Sequence, residues 1–373
     1  MRIAFVHDWL NGMRGGERCL EALCELYPDA DLYSLFYEKG KLSQTIESLN
    51  IHTSFIQKLP FAFKKYRHYL PLFPVAIEQF DLRNYDLVVS LSHCVANGVI
   101  TRPQTCHIGY TFTPMRYAWD LYHDYFGGDR SRGISRYLIP YVMNYLRMWD
   151  MAASKRVDHF VAISQHIRKR IEKHYRRSAD VIYPPVDTEF YTPTDHPQKD
   201  DFFLIVSAFA PYKKIGLAIE AFNHLRLPLK IIGQGQEAKR LMLLANSNIE
   251  FLGTLTDAEV RDHYRRCRAL IFPGEEDFGI VPLEAHACGS PVIAYAKGGV
   301  LETTVPSKTA IHFHKQTTKD LMAAIREFET CSFSSTEVRT HACRFAKTRF
   351  QQEMQAYIEQ KLRTFSEERK LED

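Results

Sequence analysis

Two glutamates in the second half of the chain have a spacing that suits a binding pocket. Glu276 and Glu284 are separated by seven residues, and Phe278-Gly279 lies between them. The phenylalanine and glycine predict a tight loop, and Pro282 suits the first turn of a helix that carries Glu284 in that turn. Carboxylates accept strong hydrogen bonds from hydroxyl groups, and amides at a helix start hold phosphate. The pattern therefore favours a pocket for a polyhydroxylated ligand over two solvated acids on a surface loop.

A pair of lysines is the second candidate group. Lys213-Lys214 comes shortly after the strand-like run Phe202–Ser207. A lysine just past the carboxyl end of a strand reaches a bound phosphate as a point charge. The alternative, which holds more often in proteins at large, is a solvated lysine pair at the start of a helix.

A glycine-rich segment near the N-terminus is the third. The first strand-like run is followed by Asp8, and a loop with Gly12, Gly15 and Gly16 then precedes a predicted helix that begins at Glu17. Glycines between a strand and a helix let backbone N–H groups approach an anion, and the helix dipole adds positive potential. A diphosphate suits such a segment, although a plain strand-to-helix turn has the same composition.

Three further motifs indicate other chemistry only weakly. Asp277–Gly279 spells the metal-binding motif of protein kinases, but no kinase catalytic loop accompanies it. Gly233–Ala238 fits the loose dinucleotide fingerprint and lacks an acidic residue at the end of the next strand. Asp29 and Asp31 form a D-x-D pair just after the first predicted helix, where acids are commonly solvated. We expect no required metal and no cofactor.

The elements that must position these residues follow from length and patterning. A chain of 373 residues with 45% hydrophobic and 25% charged residues predicts two globular domains. A net charge of +4 is too small to imply nucleic acid. The eight cysteines form no C-x-x-C pair, which favours reduced thiols in a cytosolic protein. We expect neither a signal peptide nor a membrane-spanning helix, since Leu138–Ala153 is amphipathic.

Short apolar, β-branched runs alternate with helical patterns, which predicts two doubly wound α/β domains with parallel sheets. A proline-rich linker from Tyr183 to Asp201 is expected to separate them. Because open sheets of this kind bind ligands at the carboxyl ends of their strands, the expected site is a cleft between the domains. The predicted strands are Ile3–Val6, Leu87–Leu91, His107–Thr111, His159–Ile163, Phe202–Ser207, Leu229–Ile232, Ile249–Leu252, Ala269–Phe272 and Pro291–Tyr295.

A basic and aromatic stretch lies in the first domain. No acidic residue occurs between Ser48 and Ile77. Basic groups are attracted to anionic lipid, and aromatic rings suit the headgroup boundary, so the stretch predicts contact with a membrane surface. Alternatively, the aromatic residues belong to the core and the basic residues are merely solvated; nucleic-acid binding is a lesser alternative. The basic residues are Lys58, Lys64, Lys65 and Arg67, interleaved with Phe55, Phe61, Phe63, Tyr66, Tyr69 and Phe73.

Motifs spread over nearly the whole length carry a family resemblance. The chain resembles the retaining glycosyltransferases of family 4, which have the GT-B fold of two Rossmann-like domains, and within them the bacterial mannosyltransferases of O-antigen and exopolysaccharide assembly. The motifs are Gly15–Glu17, Thr113–Trp119, Ala162–Ser164, Tyr183–Asp187, Ala210–Lys214, Glu276–Glu284 and Gly298-Gly299.

The resemblance implies a domain plan and roles for single residues. Residues 1–190 would form an acceptor-binding domain, residues 191–345 a nucleotide-sugar-binding domain, and residues 346–373 a helix that returns to the first domain. Glu276 would bind hydroxyl groups of the donor sugar, Glu284 the ribose, and Lys213 the leaving diphosphate. The other donor-binding residues would be Gly15, Gly16, Lys214, Phe278, Gly279 and Ile280.

The resemblance also implies substrates and a location. The donor would be GDP-mannose and the acceptor a lipid-linked saccharide, reached from the inner face of the plasma membrane by a cytoplasmic, peripheral enzyme. Phe112 stands where many members have histidine, and Ala208 where many have arginine; Arg116 or Lys214 would have to compensate. Three alternatives stay open: a UDP-sugar donor, a nucleotide-sugar-binding protein with little or no transferase activity, and an NAD-dependent oxidoreductase resting on the glycines at 233 and 235.

Overall fold

The computed structural model describes residues 1–120, 122, 135–194 and 199–370. The chain divides into two compact units. The first comprises Met1–Pro185 together with the C-terminal helix from Thr348, and the second comprises Val186–Lys347. The division falls five residues before the expected boundary at residue 190. Residues 195–198 of the predicted linker lie outside the described residues.

The first unit is built on a seven-stranded parallel sheet in the order β3-β2-β1-β4-β5-β6-β7. Its central strands are buried along their whole length, as expected of a sheet covered on both faces. The strands are β1 Ile3–His7, β2 Asp31–Ser34, β3 Asn50–Thr53, β4 Leu87–Ser92, β5 Cys106–Thr111, β6 His159–Ala162 and β7 Asp180–Val181.

The second unit has a six-stranded parallel sheet in the order β10-β9-β8-β11-β12-β13. The neighbouring positions of β8 and β11 matter for the candidate site, because the loops that follow these two strands leave the same edge. The strands are β8 Phe203–Val206, β9 Leu229–Ile232, β10 Ile249–Gly253, β11 Leu270–Phe272, β12 Val292–Tyr295 and β13 Ala310–Phe313.

Helices connect the strands in both units. In the first unit, Phe350 of the last helix packs edge-on against Tyr110 of β5, with ring centroids 5.7 Å apart. The described helices are α1 Gly15–Leu26, α2 Gln44–Glu47, α3 Ala62–Lys65, α4 Phe73–Glu78, α5 Ser135–Ala153, α6 Gln165–Tyr175, α7 Ile215–Leu225, α8 Ala238–Leu244, α9 Asp257–Arg266, α10 Ile280–Ala287, α11 Val300–Thr303, α12 Thr318–Thr330, α13 Ser335–Cys343 and α14 Lys347–Lys370.

The predicted fold class is confirmed, since both units are α/β with parallel sheets. Every predicted strand is present, with ends shifted by at most one residue. The strands that were not predicted are β2, β3, β7 and β13. They are at most four residues long, and each contains Asp, Asn or His. Their extended conformation is stabilised by pairing with a neighbour more than by their own sequence.

Candidate active site

The second unit brings Lys213 and Glu276 together. Lys213 ends a short 3₁₀ helix, Pro211–Lys213, that follows β8, and Glu276 follows β11. These strands are neighbours in the sheet and pair at Leu204 and Leu270. The Nζ atom of Lys213 and Oε1 of Glu276 form an ion pair, and the two side chains are only 20% and 14% exposed. A cation and a carboxylate therefore share one place at the carboxyl edge of this sheet.

Glycines hold the loop that carries Glu276. The N–H of Gly299 donates to the carbonyl oxygen of Glu276 at 2.8 Å. A Cβ atom at Gly298 would lie 2.3 Å from that oxygen, and one at Gly299 would lie 2.3 Å from Cα of Phe278. Only glycine permits so close an approach. The Gly298-Gly299 motif therefore fixes the backbone of the Glu276 loop against the segment that follows β12.

The backbone around Lys213 is equally tight. A Cβ at Gly274 would lie 3.0 Å from Cα of Lys213, so Gly274 lets the two loops touch. Gly274 was not singled out from the sequence, although its place directly after Pro273 at the end of β11 is a pattern that indicates a turn at a strand end.

The glycines of the loose dinucleotide fingerprint also have a structural role. Gly233 has φ +136°, and a Cβ there would lie 1.9 Å from the carbonyl oxygen of Ser207. At Gly235 a Cβ would lie 2.7 Å from the carbonyl oxygen of Phe209, whose N–H donates to Gln234 at 2.8 Å. These residues brace the loop between β8 and Lys213, which explains the motif without a dinucleotide.

A small pocket opens at this edge. Ser207, a residue that no sequence motif singles out, adds a hydroxyl group to the charged lining of the pocket. Lys214 is exposed and caps α7 in a left-handed conformation, with φ 54°, and it does not line this pocket. Ala208 is exposed as well. The lining residues are Ile205, Val206, Ser207, Lys213, Ile215, Ile271, Phe272, Pro273, Gly274 and Glu276.

The segment after Glu276 turns into α10. Gly279 caps that helix with φ +102°, and Ile280 is its first residue. Glu284 is therefore the fifth helical residue and lies in the second turn, which corrects the predicted first turn. The hydroxyl of Tyr264 donates to Oε2 of Glu284 at 2.9 Å. Burial, helped by the charge of Glu284, raises the pKa of Tyr264 well above its usual value, so the phenol stays a donor. Glu284 does not line the pocket beside Lys213.

Phe278 has a packing role. Its side chain is buried and meets Phe345 edge-on, with ring centroids 5.9 Å apart. The side chain therefore anchors the loop, and the backbone amides of residues 278–280 are what the loop can offer a ligand.

In the first unit, Gly15 and Gly16 are the first two residues of α1, where the sequence predicted a loop that ends before Glu17. The helix starts early because the N–H of Arg14 donates to Oε2 of Glu17 at 3.1 Å. Burial raises the pKa of Glu17 to about 7. A Cβ at Gly16 would lie 3.3 Å from the ring of Phe112, so this glycine lets the first turn of α1 pack on that ring.

Hydrogen bonds and an ion pair fix both ends of the segment Thr113–Asp120. Arg170 of α6 donates to Oγ1 of Thr113 at 2.7 Å and forms an ion pair with Asp120. The indole Nε1 of Trp119 donates to Asp150 at 2.7 Å. These contacts hold the run that contains Arg116, whose side chain is half-buried.

Hydrogen bonds account for Asp31 of the D-x-D pair, and Asp29 is exposed. Asp31 is the first residue of β2 and accepts hydrogen bonds from the Tyr85 hydroxyl and from Asn50, each at 2.6 Å. Among the described residues, no group of three His, Cys, Asp or Glu side chains is placed to hold a metal ion.

Two family models together cover most of the chain. Residues 13–190 match the model described as Glycosyltransferase Family 4, and residues 187–347 match the model described as Glycosyl transferases group 1. The chain belongs to the glycosyltransferases.

Curated relatives match parts of this glycosyltransferase. It is 32% identical over 181 residues to an uncharacterized glycosyltransferase of Methanocaldococcus jannaschii, a match that covers 47% of this chain and 50% of that protein. It is 35% identical over 105 residues to O-antigen chain mannosyltransferase C of Escherichia coli, which covers 26% of this chain and 28% of that protein. The chain thus spans half or less of the length of these relatives.

Among solved structures, the glycosyltransferase is similar to HepE of Anabaena in complex with UDP. The TM-score is 0.71 at 14% identity, and the match covers 96% of this chain and 100% of that chain. A likeness at this identity establishes the fold. The GT-B fold expected from the family resemblance is confirmed.

Part of the basic stretch lies at the surface of the glycosyltransferase. Lys58, Lys64, Lys65 and Arg67 are all exposed. Of the interleaved aromatic residues, Phe61 and Phe63 are exposed, at 69% and 37%, whereas Tyr66 and Phe73 are buried in the core. The alternative that aromatic side chains belong to the core is confirmed for Tyr66 and Phe73, and contact of the exposed residues with a membrane stays a prediction. We call the exposed part, formed by Lys58, Phe61, Phe63, Lys64, Lys65 and Arg67, the basic patch.

Helix α5 presents a second exposed apolar surface in the same unit. Its inner face packs through Met143 and Leu146 into the cluster that also holds Phe73. Within the parts of the chain that the structure describes, no helix is long and apolar enough to cross a bilayer. The large side chains that α5 leaves exposed are Tyr137, Leu138, Tyr141, Tyr145 and Met148.

Proposed function

We propose that this glycosyltransferase transfers a hexose from a nucleoside diphosphate sugar to a lipid-linked saccharide with retention of configuration and without a metal. The observation that carries the proposal is the contact of Lys213 with Glu276 in a pocket at the carboxyl edge of the second sheet. An ammonium group suits a diphosphate, and a carboxylate beside it suits sugar hydroxyl groups.

In this proposal Lys213 and Glu276 bind different parts of the nucleotide sugar. A lysine ammonium has three hydrogen-bond donors, so Lys213 turns to the diphosphate while keeping a hydrogen available for Glu276. Glu276 then accepts hydrogen bonds from the sugar. As the bond to the leaving phosphate breaks, the charge of Lys213 stabilises the negative charge that develops there.

The proposed retention rests on same-face attack. No carboxylate other than Glu276 lines the described pocket, and Glu276 is engaged by Lys213. A covalent glycosyl intermediate on Glu276 would require that carboxylate to leave its cation. The proposal instead has the leaving phosphate accept the proton of the attacking hydroxyl, so the protein contributes positioning and charge stabilisation.

The remaining donor contacts are proposed for the segments around α10 and α1. Glu284, held by Tyr264, accepts hydrogen bonds from the ribose. The amides of residues 278–280, at the start of a helix of eight residues, face a phosphate or the sugar. Gly15 and Gly16 offer amides at the start of α1 in the same way.

Mannose is the proposed sugar, and GDP-mannose the proposed donor. The support is the similarity to O-antigen chain mannosyltransferase C. A UDP-sugar is the alternative, because HepE was solved in complex with UDP. Differential stabilisation separates the two: a donor that binds the folded protein raises its melting temperature. GDP and GDP-mannose are expected to raise it, and stabilisation by UDP-sugars alone overturns the choice of base.

We further propose that the protein is cytoplasmic and docks on the anionic inner leaflet through the basic patch. Four exposed basic side chains adjoin two exposed phenylalanine rings. Basic groups contribute about 1 kcal/mol each near an anionic surface. The exposed apolar face of α5 adds area suited to the headgroup boundary. Docking would present the enzyme to a lipid-linked acceptor.

The experiment that tests the transferase is release of GDP from GDP-mannose. Slow release without acceptor and faster release with lipid-linked saccharides are expected, and both should persist in EDTA. Tight binding of the donor without release of GDP would instead support a nucleotide-sugar-binding protein, for which Phe112 and Ala208 are the favouring observations. Activity that EDTA abolishes and manganese restores overturns metal independence.

A further inference from the structure

A second polar constellation, of two residues for which no sequence motif predicts a role, lies at the carboxyl edge of the first unit's sheet. Asp8 directly follows β1, and His93 directly follows the neighbouring strand β4. Asp8 is completely buried. Open parallel sheets bind their ligands at this edge. A buried carboxylate here therefore needs an explanation.

Asp8 is held by backbone amides. Oδ2 accepts hydrogen bonds from the N–H groups of His93 and Cys94 at 2.6 and 3.0 Å. Oδ1 accepts from the N–H groups of Val95 and Ala96 at 2.6 and 2.8 Å. Four successive amides form a concave anion-binding nest that fixes the orientation of the carboxylate, with both oxygens accepting hydrogen bonds.

That orientation fixes the tautomer of His93. Its Nδ1 atom lies 3.0 Å from Oδ2 of Asp8. Both oxygens of Asp8 act as acceptors in this nest, so Nδ1 of His93 carries the hydrogen and Nε2 presents a lone pair. Within the described residues no hydrogen bond engages Nε2, and 31% of the side chain is exposed. The structure thus presents an oriented acceptor at the surface of this edge.

The surroundings keep the imidazole uncharged. Burial lowers the pKa of His93, Asp8 opposes that shift, and Arg116 and Arg14 add to it. His7, whose ring lies edge-on 6.1 Å away, is itself uncharged because burial lowers its pKa to about 4. The remaining neighbours are aromatic: Trp9 packs edge-on at 4.4 Å. An uncharged hydrogen-bond acceptor in such a setting recognises an uncharged hydrogen-bond donor such as a hydroxyl group.

We propose that Asp8 and His93 form a saccharide subsite in which Nε2 of His93 accepts a hydrogen bond from a hydroxyl group of the acceptor substrate. This inference rests on the proposed transferase function. Asp8 is a positioning residue that acts through His93, and His93 is the group that touches the sugar. No proton is transferred to His93; it orients the acceptor, and the leaving phosphate remains the base.

The test compares two asparagine variants in two aspartate–histidine pairs of the same unit. His93→Asn keeps a donor for Asp8 and removes the acceptor at Nε2. His52→Asn is the matched control, since Nε2 of His52 lies 3.5 Å from Asp31, the first residue of β2. The probe is octyl α-mannopyranoside, titrated by calorimetry in the presence of saturating GDP.

Loss of one hydrogen bond predicts a dissociation constant for the glycoside that is about five- to tenfold larger in His93→Asn. The control variant is expected to bind it like the wild type, and GDP should bind all three proteins within about twofold. Equal binding of the glycoside to wild type and His93→Asn overturns the subsite, as does failure of the wild type to bind it. Weaker binding of GDP-mannose with unchanged binding of the glycoside overturns it too, because the hydroxyl would then belong to the donor.

A spectroscopic measurement keeps the proposal testable if His93→Asn is unstable. In protein labelled with ¹⁵N-histidine, His93 is expected as the neutral Nδ1–H tautomer, and its Nε2 resonance should move when the glycoside is added. An Nε2–H tautomer, or an Nε2 resonance that does not respond, contradicts the proposal. If GDP itself does not bind the wild type, the proposed function fails together with the subsite; if GDP binds and only these effects are missing, the subsite alone fails.

Discussion

The carboxylates of Glu276 and Asp8 occupy comparable places in two similar sheets, yet their surroundings differ. Each follows a central parallel strand, and each faces a side-chain nitrogen. Glu276 is 14% exposed and pairs with the ammonium of Lys213, while Asp8 is fully buried and accepts four backbone N–H groups as well as Nδ1 of His93. The first arrangement can be opened by a ligand, and the second cannot.

This difference suits two kinds of ligand. A lysine ammonium has three hydrogens, so Lys213 can turn to a phosphate and keep one hydrogen for Glu276, whose carboxylate then also accepts from hydroxyl groups. A carboxylate in a nest of amides would leave several donors unsatisfied if it moved, so it serves to fix a neighbour. The second unit therefore offers the mobile ammonium of Lys213 to an anionic nucleotide sugar. The first unit offers a rigid, uncharged hydrogen-bond acceptor, Nε2 of His93.

Changing the carboxylates of Asp8 and Glu276 to amides should separate effects on stability from effects on catalysis. Asp8→Asn is expected to lower the free energy of unfolding by about 3 kcal/mol, because the amide NH₂ faces backbone N–H groups and cannot accept from them. Glu276→Gln should lower it by less, about 1 kcal/mol, since the amide oxygen still accepts a hydrogen bond from Lys213. Urea denaturation monitored by fluorescence measures both. Comparable losses of stability would show that Glu276 is as much a structural residue as Asp8.

For turnover, the expected effect at Glu276 is large. Glu276→Gln should lower kcat by about 100-fold, equivalent to about 2.7 kcal/mol of transition-state stabilisation, because it contacts the transferred sugar and the cation beside it. Glu275→Gln is the matched control. Its carboxylate pairs with the exposed Lys297 at 3.1 Å and does not line the pocket. Steady-state rates of sugar transfer measure kcat for both variants. Similar losses of kcat in the two would contradict a role of Glu276 in catalysis.

At Glu284 a smaller effect of a different kind is expected. Glu284→Ala should raise the dissociation constant for the nucleotide by about tenfold with little change in kcat, because a ribose contact is alike in ground and transition states. Tyr264→Phe removes the hydroxyl that orients Glu284 and is expected to have a weaker effect of the same kind. Calorimetry with GDP measures both. A fall in kcat with unchanged nucleotide affinity contradicts the assignment to the ribose.

The basic patch should matter only at a membrane. Changing Lys58, Lys64, Lys65 and Arg67 to Glu is expected to abolish co-sedimentation with anionic vesicles and to leave binding of GDP unchanged. The control changes four exposed basic residues of the second unit to Glu: Lys308, Lys315, Lys319 and Arg326.

Wild-type binding to these vesicles should also weaken as salt is raised, because ions screen exposed charges. If the wild type ignores anionic vesicles at low salt, or if the control loses binding equally, the patch is not a docking surface.

How far the sequence predicted this molecule depends on how local each feature is. Buried strands such as β1 were predicted because the side chains of Ile3–Val6 are all apolar. Strands such as Asp31–Ser34 were not, because pairing with neighbours overrides their own weak preference. The helix at residue 280 begins earlier than expected because Gly279 adopts a left-handed conformation, which nothing in its sequence neighbourhood specifies.

The candidate sites show the same limit. Lys213 and Glu276 were each singled out, but their contact spans 63 residues and depends on the adjacency of β8 and β11. The contact of Asp8 with His93 spans 85 residues and depends on the pairing of β1 with β4, so the sequence left both residues unassigned. The phosphate-binding interpretation of Lys213 needed only its place after a strand. Gly274 became meaningful only once its distance from Lys213 was known.

The central claim is that Lys213 and Glu276 bind a nucleoside diphosphate sugar, and calorimetric titration of GDP and GDP-mannose tests it most directly. The wild type should bind both. Lys213→Gln should weaken both ligands by about tenfold or more, because the diphosphate loses its cation. Glu276→Gln should weaken GDP-mannose and spare GDP, because its partner is the sugar. Binding of both ligands that is unchanged in the two variants would contradict the account and remove the donor from this pocket.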